Sequence, residues 1–188
     1  MLYLASQSPR RRQLLEQLGL PFLVVDVEVP EQREAGEDPR DYVSRVANAK
    51  ARAGHKVLNI DGAIVLGADT EVVLDDAVFG KPADADDAKA MLRRLSGRTH
   101  QVISVLWAVS GQGEYCETCV SRVRFGDLSV AQIDAYVATG EPFGKAGAYA
   151  IQGRGGSLIE HLEGSYSGVM GLPLFETARL LRRFALPA

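Results

Sequence analysis

The stretch LYLASQSPRRRQLL, residues 2–15, turns a short apolar strand directly into a helix. Ser8 suits the N-cap of that helix and Pro9 its first position, where the missing proline N–H would have had no partner. A helix N-terminus favours an anion, and the arginines at positions 10–12 add positive charge. We therefore predict a phosphate cradle formed by the first-turn amides with Ser6, Ser8, Arg10 and Arg11. The alternative is an ordinary strand–helix joint with solvated arginines.

The composition is that of an ordinary globular protein. The chain has 188 residues, of which 46% are hydrophobic and 24% charged, and its net charge is −3. This balance argues against a general attraction to nucleic acid or anionic membrane, so phosphate recognition has to be local. No apolar run approaches the roughly 20 residues that span a bilayer, and no signal-peptide pattern follows Met1. We expect one domain over residues 1–188, located in the cytoplasm and without a membrane partner.

Strand and helix patterns alternate along the chain. Ala63–Ala68 is a nearly continuous apolar run, which is typical of a strand covered on both faces, and Val72–Leu74 is predicted as a second short strand. A helix is predicted to begin after Asp38, and the stretches Arg98–Val109 and Glu114–Phe125 to form a long hairpin. This alternation, with a hairpin in the middle, indicates an α/β protein with a mixed sheet.

Asp69 is the acidic residue with the most informative position. It ends the first of these two apolar strands, and ligands in α/β sheets bind beyond the carboxyl ends of strands. The alternative, a turn or helix-cap aspartate, has less support because Glu71–Leu74 continues as strand. Mg²⁺ needs few protein carboxylates, since it keeps waters and binds substrate phosphates, so Asp69 with Glu31 would be enough. A metal-bound water would then attack phosphorus, with Asp69 holding the metal or accepting the proton.

Three further polar residues give weaker signals. Lys50 and Lys81 are candidates for phosphate binding, and the ordinary alternative for each is a surface lysine. Lys81 is the better placed of the two, because its neighbours are a glycine and a proline. Gln152 carries an amide that both donates and accepts hydrogen bonds, which suits a base edge such as uracil or thymine.

The histidines and cysteines do not indicate catalysis. His55, His100 and His161 lack a serine-hydrolase motif, and we expect them at the surface or at strand flanks. Cys116 and Cys119 form a C-x-x-C pair within a predicted strand, where residues three apart point to opposite faces. We therefore predict two buried or half-buried thiols rather than a redox or zinc site.

Six motifs follow one another along nearly the whole chain: ASQSPRR (5–11), GADT (67–70), GKP (80–82), LSGRTH (95–100), KAGAYAIQG (145–153) and GLP (171–173). No single motif is decisive, but together and in this order they resemble the Maf family of nucleoside triphosphate pyrophosphatases, once described as septum-formation inhibitors. The resemblance implies a mixed elongated sheet flanked by helices, with two lobes and a nucleotide cleft. The inosine-triphosphate pyrophosphatases share this architecture.

The resemblance also implies an activity and a set of site residues. The reaction is hydrolysis between the α- and β-phosphates with a divalent metal cation, Mg²⁺ or Mn²⁺, giving a nucleoside monophosphate and pyrophosphate. Asp69 matches the catalytic acid, and the segment around Gln152 resembles the branch that prefers dTTP and UTP. The family's phosphate-side residues are matched by Ser8, Arg11, Lys50 and Lys81. Specificity is assigned to Arg11, Lys50 and Gln152, and the family suggests a homodimer.

The sequence departs from the family pattern at three positions. Pro30 precedes Glu31 where the family often has two adjacent acids, so Glu31 alone is carried over as a metal ligand with Asp69. Glu71 replaces an apolar residue, and it either adds a metal ligand or faces solvent. Gly144 replaces an acid, which removes any contact from that side chain.

Two other classes of function remain as alternatives. The first is a non-catalytic regulator of cell division or septum formation that senses nucleotides. The second is a pyrophosphatase specific for 7-methyl-GTP or for purine nucleotides. Stable nucleic-acid binding is not expected, because the chain is acidic overall and has no basic stripe.

Overall fold

The computed structural model describes residues 1–187. Its strands form one mixed sheet in which three strands are parallel neighbours at one side and antiparallel pairs follow. The strands are β1 (Leu2–Ala5), β2 (Phe22–Val24), β3 (Ile64–Leu74), β4 (Ala77–Phe79), β5 (Thr99–Ser110), β6 (Gly113–Phe125) and β7 (Ile159–Glu163). Their order in the sheet is β2–β1–β3–β5–β6–β7, with β4 paired to β3. The predicted α/β fold with a mixed sheet is confirmed.

Helices occupy most of the remaining regular structure. They are α1 (Pro9–Glu16), α2 (Pro39–Leu58), α3 (Ala85–Leu95), α4 (Val130–Val137), α5 (Tyr166–Met170) and α6 (Leu174–Arg182), with 3₁₀ segments at Ala146–Ala148 and Arg154–Leu158. Within residues 1–187, no helix combines the length and the apolar character that crossing a membrane requires.

The described chain divides into two compact units. The first comprises residues 1–69, 104–119 and 171–187, and the second comprises residues 70–103 and 120–170. Strands β3, β5 and β6 each contribute residues to both units. One apolar cluster of the first unit contains Tyr3, Ala5, Val25, Ala63 and Val65. The larger cluster of the second unit includes Phe79, Leu92, Leu95, Phe125, Ile133, Tyr136 and Tyr149.

The prediction of two separate strands around Asp69 is wrong. Strand β3 runs without interruption from Ile64 to Leu74, so Asp69 lies inside a strand rather than at its end. The second half continues because Val72–Leu74 pairs with β4 through a turn at Asp75 and Asp76, both of which have left-handed backbone angles. Pairing with β1 nevertheless stops at Gly67, two residues before Asp69.

Gly67 allows α2 to lie directly on β3. A Cβ atom at this position would overlap the carbonyl oxygen of Ala47 and would lie 2.5 Å from the backbone nitrogen of Ala51. Because side chains at positions 67 and 69 of a strand share one face, Asp69 lies on the face that α2 covers. The missing side chain of Gly67 therefore brings the middle of α2 to Asp69.

The two long strands agree with the predicted hairpin within two residues at each end. Both cysteines lie on β6 and are free thiols, with Cys119 buried and Cys116 exposed. The expectation that both thiols are at least half-buried is wrong for Cys116, because alternate residues of this strand face solvent.

We predict that Gly67→Ala lowers the free energy of unfolding by about 2 kcal/mol, because the added methyl group has no space between β3 and the backbone of α2. Urea unfolding followed by circular dichroism measures the change. Gly111→Ala is the matched control, since a Cβ atom there meets nothing within 4 Å. Equal stabilities of the two variants would contradict this account of the helix–strand contact.

Candidate active site

A buried ion-paired cluster lies where α2 meets β3. The Lys50 Nζ atom is 2.8 Å from Oδ1 of Asp69 and 2.6 Å from Oε1 of Glu31. Lys50 and Asp69 are only 8% and 6% exposed, so water screens their interaction weakly. The surface-lysine alternative for Lys50 is therefore wrong. The three residues were all predicted as site residues, and the structure brings them into direct contact.

Contacts from α2 hold the loop that carries Glu31. The Tyr42 hydroxyl donates to the Glu31 carbonyl oxygen at 3.0 Å, and an Arg45 amino group donates to the Gln32 carbonyl oxygen at 2.9 Å. Arg45 also forms two hydrogen bonds with the Glu37 carboxylate. The bond from Arg45, with one from the Glu34 amide, lowers the pKa of Glu37 from 4.5 to about 2. One helix thus supplies Lys50 and also holds the segment that carries its second carboxylate partner.

The cluster has acceptor capacity that the protein does not use. Oδ2 of Asp69 is buried and has no hydrogen-bond partner among residues 1–187. The carboxylates of Glu31 and Asp69 also share the one ammonium of Lys50. Buried carboxylate oxygens of this kind bind donors or hard cations such as Mg²⁺ and Mn²⁺. No group of three or more His, Cys, Asp or Glu side chains with metal-binding geometry occurs in the described chain. Glu31 and Asp69 are the carboxylates of this cluster that could hold such a cation.

The N-terminal segment lies at the neighbouring strand end. Helix α1 begins with Ser8 at its N-cap position and Pro9 in its first turn, as predicted, but the Ser8 side chain makes no capping hydrogen bond. The backbone N–H of Ser8 donates to Oγ of Ser6 at 3.2 Å. The first turn contains no acidic residue, and Arg10 and Arg11 are both half-buried within it. This arrangement favours an anion at the start of α1.

Arg11 connects two of the sequence motifs. Its Nε atom donates to the Gly171 carbonyl oxygen at 2.8 Å, and one of its amino groups lies 3.5 Å from Oγ of Ser6. Gly171 has a φ of 121°, which favours glycine. The GLP motif at residues 171–173 therefore fixes the guanidinium of Arg11.

The β1–β3 register relates the segment around Ser6 to Asp69. Ala5 of β1 pairs with Gly67 of β3, and the two strands are parallel. The backbone therefore continues beyond this pair in the same direction in both segments. Ser6 follows Ala5 in the first segment, and Ala68 and Asp69 follow Gly67 in the second. Both belong to the first unit.

Lys81 and Gln152 belong to the second unit, and both are exposed. The Gly147 N–H donates to the Gly80 carbonyl oxygen at 3.1 Å, which ties the GKP motif to the KAGAYAIQG motif. A Cβ atom at Gly147 would lie 2.7 Å from a methyl group of Val72, so the contact requires glycine. The departure at Gly144 also has a local reason, because its φ of 71° favours glycine over an acidic residue.

The expectation that His100 lies at the surface or a strand flank is wrong. His100 is 1% exposed, and its Nε2 atom lies 2.9 Å from the Tyr149 hydroxyl. The side chain of His100 points inward because alternate residues at the start of β5 face the core. Its ring packs edge-on against Phe125. Burial lowers the pKa of His100 from 6.5 to about 4, so the ring is neutral at pH 7.

Sequence reasoning missed Glu141 and Tyr136. Oε1 of Glu141 accepts a hydrogen bond from the Tyr136 hydroxyl at 2.8 Å. Both lie outside the recognised motifs, and the only local signal was a carboxylate between Gly140 and Pro142. Glu71, a candidate metal ligand in the sequence, is a half-buried residue of β3.

Comparison with known proteins reveals close relatives over nearly the whole chain. The sequence model of a family described as "Maf-like protein" matches residues 1–184. A dTTP/UTP pyrophosphatase of Xanthomonas campestris is 57% identical over 187 residues, covering 98% of both chains. A dTTP/UTP pyrophosphatase of Methylococcus capsulatus is 57% identical, covering 98% of this chain and 91% of its own. A nucleoside triphosphate pyrophosphatase of Xylella fastidiosa is 58% identical, covering 98% of both chains.

We predict that Lys50→Met lowers the free energy of unfolding by roughly 3 kcal/mol, because Asp69 and Glu31 lose their shared counterion. Adding Asp69→Asn to that variant should raise its stability, since the substitution removes one uncompensated buried charge. Urea titrations of the single and double variants measure both effects, with Asp61→Asn at an exposed turn as the control. A double variant no more stable than Lys50→Met would contradict the coupling.

The buried His100 predicts a pH dependence of stability. Below its ordinary pKa of 6.5, the unfolded chain binds a proton that the folded chain does not bind until about pH 4. The contribution of His100 to the free energy of unfolding is therefore fully present above pH 6.5. It falls by up to about 3 kcal/mol as the pH decreases towards 4. In urea titrations at pH 7 and pH 4.5, His100→Gln should lose less stability on acidification than the wild type. Exposed His161→Gln should behave like the wild type.

Proposed function

The chain belongs to the Maf family, and from this premise we propose that it is a pyrophosphatase that hydrolyses dTTP and UTP. The observation that carries the proposal is the buried Asp69 carboxylate, held by Lys50 with its Oδ2 atom unpartnered, two residues beyond the point where β3 stops pairing with β1. The relatives from Xanthomonas and Methylococcus, which share more than half of its residues, are named dTTP/UTP pyrophosphatases. Their identity extends over almost the entire chain, which supports the same substrate here.

The positive charges bind the triphosphate. Arg11 is fixed by Gly171 and directed towards Ser6, so its guanidinium is pre-organised for a phosphate. Ser6, Ser8 and Arg10 complete the anion site at the start of α1. Lys81 and Lys50 supply further positive charge, because a triphosphate carries about four negative charges that one arginine does not neutralise.

Asp69 is the catalytic residue in this proposal. Its Oδ2 atom either binds the cation or accepts the proton of the water that attacks the α-phosphorus, while Oδ1 remains bonded to Lys50. The bond between the α-phosphorus and the bridging oxygen then breaks, and the products are a nucleoside monophosphate and pyrophosphate. Lys50 orients the carboxylate through its hydrogen bond to Oδ1.

Glu31 and Asp69 would hold a divalent cation, Mg²⁺ or Mn²⁺. Their carboxylate oxygens fit a hard cation, and the unpartnered Oδ2 of Asp69 is the observation that supports this assignment. Such a cation, when bound, neutralises phosphate charge and lowers the pKa of a bound water. Lys50 lies between the two carboxylates and limits their mutual repulsion in the absence of the cation.

Gln152 supplies base recognition in this proposal. A uracil or thymine edge presents a carbonyl acceptor beside an N–H donor, and one glutamine amide satisfies both. Arg11 and Lys50 add to specificity by fixing the phosphates relative to the base. The purine and 7-methyl-GTP alternatives have less support, because the relatives above are named for dTTP and UTP.

Pyrophosphate release from a nucleotide panel tests the proposal. With Mg²⁺ or Mn²⁺, wild-type protein should release pyrophosphate fastest from dTTP and UTP, and more slowly from CTP, ATP, GTP and 7-methyl-GTP. Asp69→Asn should lower kcat at least about 100-fold, because it removes the carboxylate oxygen that either accepts the proton or binds the cation. Asp61→Asn, an exposed aspartate of the same unit, is the matched control.

Three outcomes of this assay would contradict parts of the proposal. A wild-type protein that binds nucleotide but releases no pyrophosphate would favour the regulatory alternative. A preference for purine nucleotides would overturn the substrate assignment alone. Normal turnover by Asp69→Asn would overturn the catalytic assignment.

A further inference from the structure

The backbone on both sides of Gln152 is fastened by two side chains that the reaction itself does not use. Glu141 accepts hydrogen bonds from the Arg154 N–H at 2.9 Å and from the Gly155 N–H at 2.8 Å. The Tyr136 hydroxyl accepts a hydrogen bond from the Ala150 N–H at 3.1 Å. The segment that carries Gln152 is therefore held before and after that residue.

The two side chains form one unit, because the Tyr136 hydroxyl donates to Oε1 of Glu141 at 2.8 Å. Tyr136 is 5% exposed and packs in the core of the second unit, so its hydroxyl is a fixed point. The hydrogen bond from Tyr136 therefore fixes the position of the Glu141 carboxylate. The carboxylate in turn fixes the backbone of the turn after Gln152.

Two glycines of the turn are required by this arrangement. A Cβ atom at Gly153 would lie 2.6 Å from Cδ of Glu141, and one at Gly155 would lie 2.7 Å from the Tyr136 hydroxyl oxygen. The Gly153 N–H also donates to the Ala150 carbonyl oxygen at 3.1 Å, which closes a turn around Gln152. The glycines therefore permit the contact between backbone and carboxylate.

A carboxylate suits this place better than a neutral side chain. Burial raises the pKa of Glu141, but hydrogen bonds from Gly155, Arg154 and Tyr136, with the charge of Lys145, leave it below its ordinary value. Glu141 is thus ionised at neutral pH and accepts from all three donors. Hydrogen bonds to a charged acceptor are stronger than those to a neutral one.

Uracil and cytosine differ in the placement of donor and acceptor on one base edge. The Gln152 amide has to be held in a fixed position to discriminate between the two bases. A mobile amide could hydrogen-bond to water instead, or rotate to an orientation that suits either base. Gln152 itself is exposed, so its own packing does not supply that restraint.

We propose that Glu141 is a positioning residue that sets base selectivity for uracil and thymine nucleotides by holding the turn that carries Gln152. Tyr136 acts with it through the shared hydrogen bond. This inference rests on the proposed function, since it concerns the base side of the same substrate.

Glu141→Gln tests the inference with little change of shape. The glutamine side chain keeps one acceptor oxygen, but its second oxygen is replaced by an amino group. That amino group is a donor and faces another donor, either a backbone N–H or the Tyr136 hydroxyl. We expect the KM for UTP to rise about tenfold and kcat to change less than about twofold, with a roughly tenfold loss of selectivity for UTP over CTP. The inhibition constant of tripolyphosphate, which has no base, should stay unchanged. Glu160→Gln, at an exposed glutamate that pairs with Arg124, is the matched control.

A double-mutant cycle separates positioning from general support of the fold. In a Gln152→Ala background, Glu141→Gln should have no further effect on the selectivity for UTP over CTP. Tyr136→Phe removes only the hydroxyl and should lower the same selectivity, so it decides the question if Glu141→Gln does not fold.

Two results would overturn the inference alone. One is wild-type selectivity in folded Glu141→Gln, or in Tyr136→Phe if only that variant folds. The other is an equal loss of selectivity with and without Gln152. Wild-type protein that releases no pyrophosphate from any nucleotide would instead overturn the proposed function, and this inference with it.

Discussion

The ammonium of Lys50, enclosed by the carboxylates of Glu31 and Asp69, is the interaction on which the first unit depends. Placing the charges of Lys50 and Asp69 in a buried position is unfavourable unless their geometry is fixed. The close approach of α2 at Gly67 provides that geometry, because the helix brings Lys50 to the strand face that carries Asp69. The Oδ2 atom of Asp69, which has no hydrogen-bond partner among residues 1–187, then leaves the cluster able to bind a further cation or donor.

Hydrogen bonds between a side chain and the backbone restrain polar groups in both units. In the first unit the Gly171 carbonyl oxygen fixes Arg11, and in the second the carboxylate of Glu141 fixes the amides of Arg154 and Gly155. In each case the restraint uses glycine, either for a left-handed backbone angle or for close approach. The motif residues Gly153 and Gly171 thus take part in holding neighbouring polar groups.

Family membership and geometry contribute different parts of the functional argument. The relatives are named for the nucleotides on which they act, whereas their names do not show which atoms act. The structure shows a charged cluster of Lys50, Asp69 and Glu31, and a first turn of α1 without an acidic residue. The assignment of individual residues to phosphate, metal and base remains a proposal that the experiments above address.

The sequence by itself determined the features that depend on neighbours along the chain. The β1–α1 joint, the helix after Asp38 and the long hairpin were predicted from apolar patterns and caps, which act over a few residues. Only the tertiary structure decided that β3 continues through Asp69, that Lys50 and His100 are buried, and that Glu141 holds the turn after Gln152. Burial and long-range hydrogen bonds depend on segments that come into contact only when the sheet and its helices assemble. A pattern over a few neighbouring residues does not predict these contacts.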